Sequence, residues 1–164
     1  MAWSPIASSE TDANSPLNQT LMDKIRNNID FVEDITGTRI KILPGDFVTT
    51  DYTNAPLEMQ GVSGAFIRAP AVAADYMVAT YNIPTGYKAT HVMVYASANR
   101  AVIAYEHEIS DQTTATNKGS GNCNTEIDIT DITATTTNYM SVRVATDAGA
   151  VTDVRGGYIT IAIA

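Results

Sequence analysis

The chain is predicted to be mainly β: an antiparallel β-sandwich, jelly-roll or immunoglobulin-like, preceded by an extended N-terminal arm and one amphipathic α-helix. Three observations lead there. A helical period occurs once, before residue 37. After it come six segments of clear strand composition, separated by Gly-, Pro-, Asn- or Thr-rich connectors with no helix between them. Several alternate strictly: over residues 158–163, Ile159, Ile161 and Ile163 share one face while Tyr158, Thr160 and Ala162 share the other. The expected division is 1–36 for arm and helix and 37–164 for the sandwich.

Residues 1–14 are rich in Ser, Ala, Asp and Asn and show no period, so they read as an extended leader or one ordered on binding. Trp3 and Ile6 stand out in it. A large amphipathic ring left in water forgoes its burial free energy, so Trp3 either folds back onto its own domain or inserts into a neighbour. Ser15-Pro16 starts the helix, Ser as cap and Pro at the first helical position, where the missing N–H costs nothing. The helix should run to about Ile35, with Gly37 as its stop. At about 100° per residue, Leu17, Leu21, Met22, Ile25, Ile29, Phe31, Val32 and Ile35 fall on one broad side. Packing against one sheet needs a narrower stripe, so the helix either simply caps the sandwich or meets both its sheet and a second subunit. Asn18, Leu21, Ile25, Asn28, Val32 and Ile35 also fit the spacing of a short coiled-coil seam. Candidate partner-contact residues are therefore Trp3, Ile6, Leu17, Leu21, Ile25, Asn28, Ile29 and Val32.

Residues 38–75 are less legible. Arg39-Ile40-Lys41-Ile42 reads as a short strand, Pro44-Gly45-Asp46 as a turn, and Ala65-Phe66-Ile67-Arg68 as a strand ended by Pro70. Strands are then expected over 76–83, 90–96, 102–109, 125–132, 139–146 and 158–163. Val92 and Val94, and Met140, Val142 and Val144, form the inward sets, each buried aliphatic contributing roughly 1.5–3 kcal/mol. Strands 90–96 and 102–109 read as a hairpin about Asn99-Arg100. Pro84-Thr85-Gly86-Tyr87 is a tight turn. Residues 112–124, rich in Thr, Gly and Asn, read as a polar loop at the rim, a place where binding sites are often grafted but here without aromatics or clustered charge.

Composition narrows the function. At 164 residues the chain has room for one core, and 45% hydrophobic against 17% charged residues is low in charge for a solvated monomer, as a surface buried against partners would explain. A formal net charge of −8 without a Lys/Arg cluster argues against nucleic-acid binding. Cys123 is the only cysteine, so no intrachain disulfide forms and synthesis in a reducing cytoplasm is expected. No segment approaches the ~20 apolar residues of a membrane span, and the first residues lack a basic, apolar leader; no membrane association is expected.

Catalytic and metal constellations find little support. His91 and His107 are the only histidines; Glu106 and Glu108 alternate away from His107 on a strand, so the three cannot converge on one ion without a bulge. Glu126 and Asp128 share an outward face opposite Ile127 and Ile129, the ordinary pattern of a half-buried strand, and Asp131 adds no calcium-loop spacing. Cys123 has only Lys118 near it to lower its pKa. Neither a nucleophile elbow nor a phosphate-cradling loop occurs. No cofactor, no metal and no enzymatic activity are expected.

The opening Asp12-Ala13-Asn14-Ser15-Pro16-Leu17-Asn18-Gln19-Thr20-Leu21-Met22, together with Pro84-Thr85-Gly86-Tyr87-Lys88, Thr137-Asn138-Tyr139-Met140 and Gly156-Gly157-Tyr158-Ile159, resembles small structural proteins of tailed-bacteriophage particles. The resemblance implies a virion protein made in the host cytoplasm: a capsid decoration or cement protein, commonly a homotrimer, contacting the major capsid protein or other virion proteins. A head or tail fibre, or a collar or baseplate component, is the neighbouring alternative. From a different class comes a carbohydrate-binding sandwich, which would need exposed aromatics beside polar hydrogen-bonding groups; Tyr52, Tyr76, Tyr81, Tyr87, Tyr95 and Tyr105 supply aromatics, otherwise explained as strand packing.

Overall fold

A computed structural model describes residues 6, 20–26, 28, 39–50, 56–61, 65–71 and 75–164, with the side chains of 112 and 113 excepted. The chain divides into two units, Met1–Thr38 and Arg39–Ala164. In the first, residues 20–26 and 28 are helical, inside the span the apolar period marks; the expected helix ends lie outside the described residues. Arg26 pairs with Asp23 one turn back at 2.8 Å, an exposed contact worth a few tenths of a kcal/mol. No described helix is long and apolar enough to cross a membrane.

The second unit is the expected sandwich. Its strands are β1 (Arg39–Ile42), β2 (Val48–Thr49), β3 (Glu58–Gln60), β4 (Phe66–Ala69), β5 (Tyr76–Tyr81), β6 (Tyr87–Ala96), β7 (Ala101–Glu108), β8 (Asp111–Asn122), β9 (Ile127–Thr133), β10 (Asn138–Ala145) and β11 (Thr152–Ile163). A six-stranded sheet runs β3-β4-β11-β6-β9 with β1 also on β11, and a five-stranded sheet runs β2-β5-β10-β7-β8. Every pairing among the described residues is antiparallel. Only β3–β4 and β7–β8 follow one another within a sheet; the other steps change sheet, as in a jelly roll.

Alternation builds the core. Val92, Val94, Ile159, Met140, Val142 and Val144 are all fully buried, as their period-2 spacing requires. At the centre of the larger sheet, β11 takes β1 and β4 on one edge and β6 on the other. The register slips between Val154 and Gly156. Gly156 has φ +106, and a Cβ there would stand 2.5 Å from the Ile42 carbonyl oxygen; a Cβ on Gly157 would collide with the Met93 carbonyl. The Arg68 guanidinium grips the Asp153 carboxylate with two hydrogen bonds of 2.7 and 3.0 Å, fixing β4 on β11.

Two expectations are corrected. Residues 111–122 are not a loop but the edge strand β8. Its glycines mask the strand pattern yet have a packing role: a Cβ on Gly119 would lie 2.8 Å from Ile129 Cγ2, and one on Gly121 would lie 2.8 Å from Ile127 Cγ1. Small residues let β8 of one sheet close against β9 of the other. Nor do 90–96 and 102–109 form a hairpin: β6 and β7 belong to different sheets. After Ala96 the chain crosses over, because the edge of Ala96 is already satisfied by Asn124, whose side-chain oxygen accepts from Ala96 N–H and whose amide donates to Ala96 C=O, both at 3.1 Å. Asn124 reaches this position with φ 64. Arg100 then braces the crossover, donating to Thr152 Oγ1 at 3.0 Å and to Asp147 Oδ2 at 2.6 Å.

Gly157→Ala should destabilise the fold by about 3 kcal/mol or fail to yield soluble protein, since backbone must move to admit the methyl group. Gly86→Ala, at φ +87 in a turn with open space around its Cβ position, should cost only about 1 kcal/mol. Equal thermal unfolding midpoints for the two variants would contradict the close approach of β6 and β11.

Candidate functional site

The outward row of the five-stranded sheet carries an aromatic and polar face. Tyr139, Ser141 and Arg143 come from β10 and Ile103, Tyr105 and His107 from β7, set opposite one another by the register Tyr139↔His107, Ser141↔Tyr105 and Arg143↔Ile103. The His107 and Tyr139 rings stack with centroids 4.8 Å apart and planes 10° apart. His107 Nε2 shares a 2.7 Å hydrogen bond with the buried Ser141 hydroxyl, which holds the ring upright. Tyr105 lies 6.2 Å from His107, and the Arg143 guanidinium covers the Tyr105 ring at 4.5 Å. Partial burial, helped by the neighbouring positive charge of Arg143, pushes the His107 imidazole below its ordinary pKa and favours its neutral form.

This face runs into a cleft of about 170 Å³ lined by Glu106, His107, Glu108, Asp111, Thr114 and Thr116. It therefore joins ring surface to carboxylates and hydroxyls that accept and donate hydrogen bonds. Glu106 is fixed within it. Desolvation pushes its carboxyl upward, but hydrogen bonds from Lys118 and Asn138 outweigh that and hold it below the usual value. Lys118 Nζ stands 2.8 Å from Oε2, and Asn138 Nδ2 donates to Oε1 at 2.7 Å. The register shift between Ala104 and Tyr105, opposite Gly119 and Asn117, leaves Lys118 unpaired in the ladder and free to turn to Glu106.

The outer face of the six-stranded sheet differs in character. Arg39 covers the Tyr158 ring at 3.9 Å, and Tyr95 meets Tyr158 edge to face at 6.4 Å. His91 stands 3.8 Å from Asp128, and Lys88 pairs with Asp131 at 2.7 Å. His91 and His107 thus belong to opposite outer faces, and no metal-holding group of three His, Cys, Asp or Glu occurs among the described residues. Cys123 is buried, and desolvation raises its thiol pKa, which disfavours a thiolate.

Of the residues expected to contact partners, Leu21 and Asn28 are buried and Ile6 and Ile25 half-buried; Trp3, Leu17, Ile29 and Val32 lie outside the described residues, as does Tyr52. The aromatic face was not singled out from the sequence, although Tyr139 and His107 alternate outward on strands that were both expected. The missing information was that β7 and β10 are neighbours, since residues 109–137 separate them in the chain.

No family model matches this chain, and no curated protein matches it. Solved structures do resemble it in fold. The CBM22-1–GH10 modules of a Clostridium thermocellum xylanase, complexed with xylohexaose, align over 73% of this chain and 26% of that one, at 13% identity and TM-score 0.44. The CBM36-1 domain of a multidomain xylanase from the hindgut metagenome of Trinervitermes trinervoides aligns over 77% and 98%, at 12% identity and TM-score 0.45. TmCBM61 in complex with β-1,4-galactotriose aligns over 74% and 91%, at 7% identity and TM-score 0.46. The chain spans about a quarter of the first of these.

These structures are, or include, carbohydrate-binding modules and none is a virion protein; the expected virion protein, decoration or fibre, is corrected accordingly. Two of the sequence phrases that suggested a phage particle have local structural causes. Gly86 supplies the positive φ of a turn, and Gly156-Gly157 the close strand approach of β11.

The His107 imidazole should titrate below about 6.5, followed by its ring proton resonances, and Arg143→Met should raise the midpoint. The folded pKa being depressed, the native state resists protonation: stability is full above the unfolded value and falls as pH drops through the window toward the folded one. An unshifted midpoint in both proteins would place His107 in water.

Proposed function

We propose that this protein is a non-catalytic carbohydrate-binding module whose site is the Tyr105–His107–Tyr139 face and the adjoining cleft. The observation that carries this reading is that His107, stacked on Tyr139, also lines the cleft edged by Glu106, Glu108 and Asp111, and so joins the two. A pyranose presents apolar C–H patches, which suit ring surfaces, and a girdle of hydroxyls, which suit carboxylates as acceptors and Thr hydroxyls as either partner. The one hydroxyl that the neutral His107 holds, that of Ser141, is buried beneath the ring, which favours binding over turnover. The rings stand on strands whose backs form the buried core, so little is lost in ordering them on binding.

Affinity electrophoresis in gels containing soluble xylan, β-1,4-galactan or mixed-linkage glucan, with a glycan array beside it, tests the reading. Retardation in at least one gel is expected. Tyr139→Ala should weaken it tenfold or more, which is about 1.4 kcal/mol, whereas Tyr95→Ala on the opposite sheet should leave it unchanged. Lack of retention on every glycan, or equal loss in both variants, would sink the proposal.

A further inference from the structure

Of Lys118, Glu106 and Asn138, only Glu106 edges the proposed glycan cleft, and the three together form a group whose arrangement glycan binding does not explain. They come from three adjacent strands: β8, β7 and β10. One carboxylate touches both of the others, Oε2 at 2.8 Å from Lys118 Nζ and Oε1 at 2.7 Å from Asn138 Nδ2. The Lys118 and Glu106 side chains are only 17% and 23% exposed, and Asn138 is buried. Asn138 is itself immobilised: its Oδ1 accepts from Thr135 N–H at 2.8 Å, and its Nδ2 also donates to Thr133 C=O at 2.8 Å. An amine, a carboxamide with a hydrogen-bond donor on its oxygen, and a carboxylate bridging the two are the groups that transamidation needs.

We propose that Lys118 and Asn138 become joined by an isopeptide bond, formed within the folded chain with Glu106 as proton carrier. Glu106 takes a proton from the Lys118 ammonium. The freed Nζ lone pair attacks Cγ of Asn138, and the carbonyl electrons move to Oδ1, where the Thr135 N–H stabilises them. As the carbonyl re-forms, the Cγ–Nδ2 bond breaks; Glu106 returns its proton to Nδ2, and a second proton from Nζ leaves with it as ammonium. Lysine ammonium and asparagine carboxamide thus give a secondary amide and ammonium, with no oxidant, cofactor or other reactant. The step occurs once per chain. Its product would staple the edge strand β8 across β7 to β10, at the edge where a sheet is otherwise open to fraying.

Intact mass spectrometry of the purified full chain is the test. The expected mass is lower than the sequence mass by one ammonia. Trypsin should then fail to cut after Lys118, so that residues 101–143 appear as a single peptide lacking one ammonia, with fragment ions joining Lys118 to Asn138. Glu106→Gln and Lys118→Arg should both show the full sequence mass, and tryptic cleavage at Lys118 should return in Glu106→Gln. Full mass in the unmutated protein, with normal cleavage after Lys118, overturns the proposal. Ammonia loss that persists in Lys118→Arg overturns it as well, because it would come from an asparagine cyclising onto its own backbone.

Discussion

The larger sheet depends on how closely β11 can be approached from both edges. β1 and β4 dock on one side and β6 on the other, and at Gly156-Gly157 the neighbouring carbonyls of Ile42 and Met93 occupy the space a side chain would need. Removing two side chains from a central strand sacrifices packing there, a loss usually worth avoiding. It is offset because the bulge lets β11 keep a single continuous run of twelve residues while its edge partners change from β4 to β1. Arg68 and Asp153 secure one end of that run, and Ile159 and Ile161 bury the other.

A comparable exchange of side chain for proximity closes the sandwich at β8 and β9. Gly119 and Gly121 admit Ile129 and Ile127, so that an edge strand of one sheet seals against an edge strand of the other. Closure there keeps the smaller sheet in place over the core. It also fixes the side of β7 from which Lys118 reaches Glu106. The aromatic face and the Lys118–Glu106–Asn138 group are therefore consequences of one arrangement, β8-β7-β10, seen from its outer surface and from its inner rim.

The charge distribution follows the same division. On the six-stranded sheet, the Lys88–Asp131 ion pair and the His91–Asp128 contact lie on an exposed surface and contribute little to stability, whereas Arg68–Asp153 between β4 and β11 is part-buried. On the five-stranded sheet, partial burial and then the Arg143 charge lower the His107 pKa, while desolvation of Glu106 is more than offset by the hydrogen bonds from Lys118 and Asn138, which leave its pKa lowered.

By itself, the sequence determined the class of the fold, the inward faces of β6, β10 and β11, and the helical character of residues 20–26 and 28, because alternation and the 3.6-residue period are local consequences of backbone geometry. Tertiary structure decided the rest. Whether residues 111–122 were loop or strand depended on β9 lying close enough to need glycine, and whether β6 paired with β7 depended on Asn124, remote in sequence, occupying the edge of Ala96. The candidate site was hidden for the same reason: Tyr139 meets His107, and Glu106 meets both Lys118 and Asn138, only through strand pairing, and the energetics of such pairing belong to contacts between segments that no local pattern records.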